Sequence, residues 1–95
     1  MPRRIGRPCL KRKINIEPEV SYFKPRGIPV NGLQVVEIKK EELEAMRLKN
    51  IEKMDQKECA EKMKTSPTTL QRILSSAYFK ISQALIEGKA IKIIN

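Results

Sequence analysis

The distribution of proline and glycine divides this chain of 95 residues into two parts. Five of its six prolines and three of its four glycines lie before residue 33, and residues 33–66 contain neither. Proline fixes φ and lacks a backbone donor, and both residue types interrupt long helices. The sequence therefore predicts turns and short extended segments in the first third, with helices after it.

Basic residues are concentrated at the two ends of the chain. Twenty Lys and Arg against eleven Asp and Glu leave a net charge of +9, with six basic groups and no acid in residues 1–13 and five against one in residues 64–95. A basic excess of this kind favours polyanionic partners, of which nucleic acid is the obvious one. We expect a basic flexible arm (1–13), an extended or β segment (14–39) and a helical domain with a C-terminal strand (40–95).

Short strands are predicted on both sides of the helical region. Residues 13–17 and 34–38 alternate polar and apolar side chains and are rich in β-branched residues, and residues 20–23 are a third candidate. At the other end, residues 90–94 form an apolar run after Gly88 that is typical of a terminal strand.

Three helices are predicted between these strands. The first, residues 40–51, opens with acidic residues and carries Leu43, Met46 and either Asn50 or Ile51 on one side. The second, residues 56–63, begins after Asp55, whose carboxylate can cap it while Glu58 reaches back in a capping box. The acidic residues of both helices are interpreted as solvated.

The third helix is predicted from Pro67 to about Glu87. Ser66 supplies a cap oxygen, Pro67 suits the first helical position, and Gly88 suits the left-handed residue that ends a helix. Apolar residues recur along it at spacings of three and four, which predicts one core-facing side. That side comprises Leu70, Ile73, Leu74, Ala77, Ile81, Ala84 and Leu85.

The leading half of the third helix is polar on its other side. A helix, a short second helix, a turn and a third helix with a polar tip is the layout of a helix-turn-helix, in which the tip enters the major groove of DNA. Short hydroxyl side chains, an amide and a guanidinium suit contacts to base edges and phosphates. The candidate DNA-binding residues here are Ser66, Thr68, Thr69, Gln71, Arg72, Ser75, Ser76 and, further along, Lys80.

The amino-terminal arm supplies a second set of candidates. A nonspecific grip on backbone phosphates fits its composition, and the Gly6-Arg7-Pro8 triplet also resembles the core of minor-groove AT-hook segments. The arm residues expected to bind DNA are Arg3, Arg4, Arg7, Lys11, Arg12 and Lys13.

Other function classes lack the residues they need. The chain has no histidine and only two cysteines, Cys9 and Cys59, so we expect no metal site, no cofactor and no enzymatic activity. Cys59 is interpreted as a core thiol. No apolar run is long enough to span a bilayer and no signal-peptide core follows the basic start, which predicts a cytoplasmic protein without a membrane partner.

Five stretches resemble an uncharacterised family of small prokaryotic proteins predicted to bind DNA. They are EPEVSYFKPRGIP (17–29), ELEAMRL (42–48), QKECAEKM (56–63), TLQRILSSAYFKISQAL (69–85) and EGKAI (87–91). The helical half of that family is similar to region four of bacterial sigma factors. The resemblance implies a mainly α fold, a three-helix sigma-like helix-turn-helix with a short extended N-terminal segment and a short C-terminal strand.

Two departures from the family pattern leave alternatives open. Lys53 and Lys64 stand where glycine is usual at the turns between helices, so either the turns differ or about 1 kcal/mol of strain is tolerated. Tyr78 and Phe79 replace a common arginine pair, and they can cover either a core edge or a partner surface.

Two main functional hypotheses and a third, weaker one follow. The first is a sequence-specific DNA-binding protein, a transcriptional regulator reading the major groove of double-stranded DNA with the helix that starts at Pro67, as a homodimer that meets through the terminal strand or residues 20–23. The alternative is a protein-interaction module that docks on RNA polymerase or another protein partner. RNA binding ranks third, because only four aromatic residues could stack on bases.

Overall fold

The computed structural model describes Ile14 and residues 21–94. In chain order it contains β1 (Tyr22–Phe23), a 3-10 turn (Val30–Gly32), β2 (Val35–Lys39), α1 (Lys40–Met46), a π-helical segment (Arg47–Ile51), α2 (Gln56–Lys62), α3 (Pro67–Glu87) and β3 (Ala90–Ile94). The expected mainly helical chain with short strands is confirmed at this level. The strand predicted for residues 13–17 lies outside the described residues except for Ile14.

The three strands form one sheet in the order β1, β3, β2. β3 pairs antiparallel with β1 and parallel with β2, where Val36 lies opposite Ile91 and Ile38 opposite Ile93. All three helices lie in the connection between β2 and β3, as a parallel pair requires a long crossover. Because β3 is the central strand, its backbone bonds are used within the chain, and a dimer cannot pair through it as a free edge.

Two apolar clusters fill the interior. One joins the helices through Ala45, Leu48, Cys59, Ala60, Met63, Leu70, Ile73 and Leu74. The other joins α3 to the sheet through Val36, Ile38 and Ala84, with Ile81, Ile91 and Ile93 against them. Met46 packs against both clusters and so links helices and sheet into a single core.

The face that α1 buries differs from the predicted one. Ala45 and Leu48 are buried together with Glu42 and Glu44, whereas Ile51 is 72% exposed. After Met46 the helix widens, and the Glu52 N–H bonds to the Arg47 carbonyl at 2.9 Å, five residues back. This extra residue shifts the side chains that follow it, so the prediction of Asn50 or Ile51 as the inward position was wrong.

The predicted caps are confirmed at α2 and α3. Asp55 Oδ1 accepts the Glu58 N–H at 2.8 Å, and Glu58 Oε1 accepts the Asp55 N–H at 3.0 Å. Ser66 Oγ accepts the Thr69 N–H at 3.1 Å, and Gly88 ends α3 in the left-handed conformation. Local sequence signals therefore decide where these two helices begin.

Lys53 and Lys64 adopt the left-handed conformation in spite of their side chains. Their φ angles are 60° and 57°, close to the 69° of Gly88. At each of these positions the next N–H bonds back into the preceding helix, as Thr65 does to the Ala60 carbonyl at 2.9 Å. Of the two alternatives at these turns, the structure shows tolerated strain, at a cost of about 1 kcal/mol per lysine.

The buried side of α3 ends at Ala84, whereas the prediction extended it to Leu85. Leu70, Leu74, Ala77 and Ala84 are buried, but Leu85 is 75% exposed. Leu85 lies about 100° around the helix from Ala84, beyond the stripe that the small sheet can cover. Within residues 21–94 no helix is long and apolar enough to cross a membrane.

Candidate nucleic-acid interface

The start of α3 is anchored to α2 by one side-chain hydrogen bond, which Gln56 Nε2 donates to the Pro67 carbonyl at 3.0 Å. Within the first turn of α3, Ser66 Oγ donates to Thr69 Oγ1 at 3.0 Å. Beneath this turn Met63 and Leu70 are completely buried. The packed core and the bond from Gln56 therefore fix the direction of the α3 tip. The sequence analysis did not predict this role of Gln56.

Most of the candidate tip residues lie on the solvent side of α3. Thr68, Gln71, Arg72 and Ser75 are exposed, as is the cap residue Ser66, and Thr69 is half-buried. Among the residues that the structure describes, the side chains of Thr68, Gln71, Arg72 and Ser75 have no hydrogen-bond or ion-pair partner. They form one polar surface over the first turns, which we call the α3 tip.

Ser76 and Lys80 are held by a carboxylate instead. Ser76 Oγ donates to Glu42 Oε2 at 2.6 Å, and Lys80 Nζ lies 3.0 Å from Glu42 Oε1. Glu42 also accepts the Lys39 backbone N–H at 2.9 Å. These two residues are thus part of an internal clamp between α1 and α3, apart from the freely exposed residues of the tip.

The buried acids correct the interpretation of this helix as a solvated acidic face. Glu42 is 3% exposed and Glu44 is fully buried. Arg47 donates to both oxygens of Glu44, from Nε at 2.9 Å and from Nη2 at 3.1 Å. A carboxylate can be buried when its charge is paired and its oxygens accept hydrogen bonds. For Glu42 the partners Ser76 and Lys80 are distant in sequence, so its burial depends on the tertiary structure.

The Glu42 carboxylate is stabilised in its charged form. Burial by itself raises its pKa, but the hydrogen bonds from Ser76, from the Lys39 backbone and from Lys80 outweigh burial. Together they hold the pKa of Glu42 below its ordinary value of 4.5. The clamp is therefore an ionised structural contact at neutral pH.

A groove of about 440 Å³ lies beside the tip, between the start of α1 and α3. It is lined by Lys39, Arg72 and Lys80 together with Glu41, Glu42 and Thr69. Lys39 is exposed and was not among the predicted contacts, although the Lys39-Lys40 pair at the start of α1 is a visible basic signal. It extends the basic surface from Arg72 towards the sheet.

The other residues singled out by the sequence analysis add nothing to this interface. The arm residues Arg3, Arg4, Arg7, Lys11, Arg12 and Lys13 lie outside the described residues. Cys59 is fully buried in the helical cluster, as predicted, and burial raises the pKa of its thiol. Among the described residues no group of three His, Cys, Asp or Glu side chains is placed to hold a metal ion.

Replacing Glu42 with glutamine is expected to lower the free energy of unfolding by about 1–2 kcal/mol at pH 7, because Lys80 loses its anionic partner and the amide cannot accept all three bonds. The folded pKa lies below the unfolded value of 4.5, so this stabilisation is complete above that pH and is lost as the pH falls below it. Urea unfolding followed by circular dichroism between pH 7 and pH 3 measures both effects.

The matched control is Glu61→Gln, because Glu61 is an exposed acid on α2. We expect it to change stability by less than about 0.5 kcal/mol. Equal pH slopes for the wild-type chain and for Glu42→Gln between pH 5 and pH 3 would show that the clamp does not act through ionised Glu42.

Comparison with known proteins places the chain among relatives of unassigned function. The family model described as "Protein of unknown function DUF134" matches residues 1–95. UPF0251 proteins of Halothermothrix orenii and Desulforudis audaxviator are 48% and 46% identical to it over 93% and 94% of this chain. A UPF0251 protein of Caldanaerobacter subterraneus is 51% identical over 92% of this chain and 74% of its own length.

The chain spans only 65% and 58% of the length of the first two of these relatives. No solved structure matches the chain. The family model nevertheless matches all 95 residues, and a relative that the chain covers to 74% is 51% identical to it, so both comparisons indicate the same family. The chain therefore belongs to the DUF134 family of proteins of unknown function, which carries the name UPF0251 among its relatives.

Proposed function

We propose that this protein binds double-stranded DNA and regulates transcription by reading the major groove with the α3 tip. The observation that carries the proposal is the division of one helix into two faces. Leu70, Ile73 and Leu74 are buried, while Gln71, Arg72 and Ser75 between and beside them are exposed and without partners among the described residues. A recognition helix needs this combination of a fixed direction and a free polar surface.

The chemistry of the tip suits base recognition. An Arg guanidinium matches the two acceptors on the major-groove edge of guanine, and a Gln amide matches the donor and acceptor of adenine. Hydroxyl groups such as those of Thr68 and Ser75 can donate or accept at bases or phosphates. Short side chains there also let the helix approach the groove closely.

The basic side chains of the protein would supply the part of the DNA affinity that does not depend on the DNA sequence. The net charge is +9, and the basic excess falls in the arm and in residues 64–95, which include α3. Lys39 and Arg72 line one groove beside the tip. The family that the sequence resembles is similar in its helical half to region four of sigma factors, and this resemblance further supports a helix-turn-helix that uses α3.

The decisive experiment is selection of preferred sites from random duplex DNA by the full chain, followed by binding at several salt concentrations. We expect enrichment of a defined motif, and a slope of log K against log[salt] of about −4 if four or five phosphates are neutralised. A pool without enriched sequences would overturn specific reading, and a flat salt dependence would overturn DNA binding through phosphates.

A second candidate function is docking on RNA polymerase or another protein, and it is favoured by exposed apolar residues on the second half of α3. Phe79 is 66% and Ile86 is 83% exposed. Apolar docking weakens little with salt, whereas DNA binding weakens steeply. The same salt titration therefore separates the two functions.

A further inference from the structure

The second half of α3 carries an apolar surface that no described part of the chain covers. Tyr78, Phe79, Leu85 and Ile86 are 42%, 66%, 75% and 83% exposed. At 100° per residue these four side chains and exposed Ser82 fall within a strip about 120° wide. We call this strip, Tyr78, Phe79, Ser82, Leu85 and Ile86, the distal face, since it lies at the opposite end of α3 from the tip.

The distal face is uncharged in a chain of which 33% of residues are charged. Residues 81–86 contain no acid or base, and the charged residues that flank them are engaged elsewhere. Lys80 pairs with Glu42 at 3.0 Å, and Glu87 pairs with Lys89 at 2.9 Å. The distal face therefore offers no cationic side chain to a DNA phosphate.

Part of the distal face is held in place before any partner arrives. Asn50 Nδ2 donates to Tyr78 Oη at 2.7 Å and also to the Met46 carbonyl at 3.2 Å. Tyr78 is thereby tied to the π-helical segment. A surface with an ordered aromatic ring loses less conformational freedom when it binds.

The area of the distal face is adequate for a symmetric pair. At the exposed fractions given above, its four apolar side chains present roughly 500 Å². Two copies that cover each other's face would bury roughly 1,000 Å², which is the lower range of specific protein interfaces. The same area left open would be at the upper end of what monomers expose.

We propose that the distal face binds the distal face of a second copy of this chain, with the two α3 helices crossing near Ser82. Copies with a charge of +9 each repel one another, so a contact between them needs a surface without charge. Ser82 is small and allows the two helices to approach, while Phe79 of one copy meets Leu85 and Ile86 of the other. The contact is isologous, as a two-fold dimer requires.

The proposed contact lies away from the α3 tip along the helix. Eleven residues separate Ser82 from Gln71, or about 17 Å of helix. Gln71 and Ser75 lie on nearly the same side of α3 as Ser82, so in this antiparallel pair the two tips point in opposite directions. The dimer does not rest on the proposed function.

Sedimentation equilibrium of the full chain without DNA tests the dimer directly. The wild-type chain is expected at twice its mass of 11.0 kDa at high micromolar concentration. The double variant Phe79→Gln with Ile86→Gln is expected to weaken the dimer at least 100-fold, whereas Ile28→Gln, at an exposed apolar residue outside α3, should leave it unchanged. A monomeric wild-type chain, or a dimer that survives both glutamines, would overturn the proposal.

Cysteine cross-linking locates the contact along α3. In a Cys9→Ser background, Ser82→Cys is expected to form a disulfide-linked dimer on mild oxidation, because the two residues meet near the two-fold axis. Ser75→Cys is the control, since it lies two turns earlier on almost the same side of the helix and should form no disulfide-linked dimer. Native Cys59 is buried and does not compete. Cross-linking of Ser75→Cys but not of Ser82→Cys would place the contact at the tip and reject this face.

These results are independent of DNA binding. A dimer that selects no DNA motif would leave the distal-face proposal standing and remove the proposed function. A monomer that selects a single half-site would do the reverse.

Discussion

Replacing Leu70 with alanine is expected to lower the free energy of unfolding by about 3 kcal/mol. Leu70 is fully buried where α3 meets the helical cluster, so the substitution removes buried methyl groups and leaves a cavity. A domain of this size has a total stability on the order of 5–10 kcal/mol. Urea unfolding followed by circular dichroism would measure the loss.

Leu85→Ala is the matched control, made on the same helix with the same side chain. Leu85 is 75% exposed, and in a monomer its truncation should cost less than about 0.5 kcal/mol. The comparison should be made at low micromolar concentration, where a weak dimer is dissociated. Equal losses for the two variants would mean that Leu85 is covered in the folded monomer and that the packing of α3 differs from the one described.

Arg72→Ala is the second substitution with a large expected effect. If its guanidinium pairs with a base, its loss should weaken binding to the selected site by about 1–3 kcal/mol, or roughly 5- to 150-fold. Sequence preference at one position of the site should relax at the same time. Stability should change little, because Arg72 is exposed and has no ion-pair partner among the described residues. Fluorescence anisotropy with the selected duplex and with a scrambled duplex measures both effects.

Arg26→Ala removes the same charge at a different place. Arg26 is exposed in the turn after β1, next to Pro25, which lines a groove with Leu85 and Gly88 at the far end of α3. We expect a small loss of affinity that is the same for both duplexes. If Arg26→Ala and Arg72→Ala weakened binding equally and without regard to sequence, Arg72 would contribute charge alone, and base reading by the tip would be wrong.

The two proposals assign separate tasks to the two ends of α3. The middle of α3 is tied to the preceding elements, because Ser76 and Lys80 bind Glu42 of α1 and Tyr78 binds Asn50 of the π-helical segment. A change at Glu42 removes contacts to Ser76 and Lys80, and we therefore expect it to affect the position of the tip as well as stability. This is why the pH dependence of unfolding, and not DNA affinity alone, is the appropriate measurement for Glu42→Gln.

Local sequence signals predicted the helix boundaries well. Pro67 at the first position of α3, Ser66 and Asp55 as cap residues, and Gly88 as the left-handed end all act within four residues of the bonds they make. Interactions of such short range depend little on the rest of the fold. The same holds for β2 and β3, whose β-branched residues favour extended backbone.

Partners distant in sequence were beyond the reach of these signals. Glu42 was expected in solvent, and its burial depends on Ser76 and Lys80, 34 and 38 residues later. Spacing alone also could not reveal that Gln56 would anchor α3, or that Lys53 and Lys64 would keep the left-handed turns that glycine usually occupies.

By itself, then, the sequence determined the elements of this protein: which segments are helices, where they are capped, and which end of α3 is polar. Only the tertiary structure decided which apolar and acidic residues are buried, because burial depends on the surface that a neighbouring element offers. The sheet is three strands wide and covers Ala84 but not Leu85 or Ile86, whereas paired charges allow Glu42 and Glu44 to enter the interior. The spacing of apolar residues does not show how wide the neighbouring sheet is. The composition does not show which cation lies beside which carboxylate.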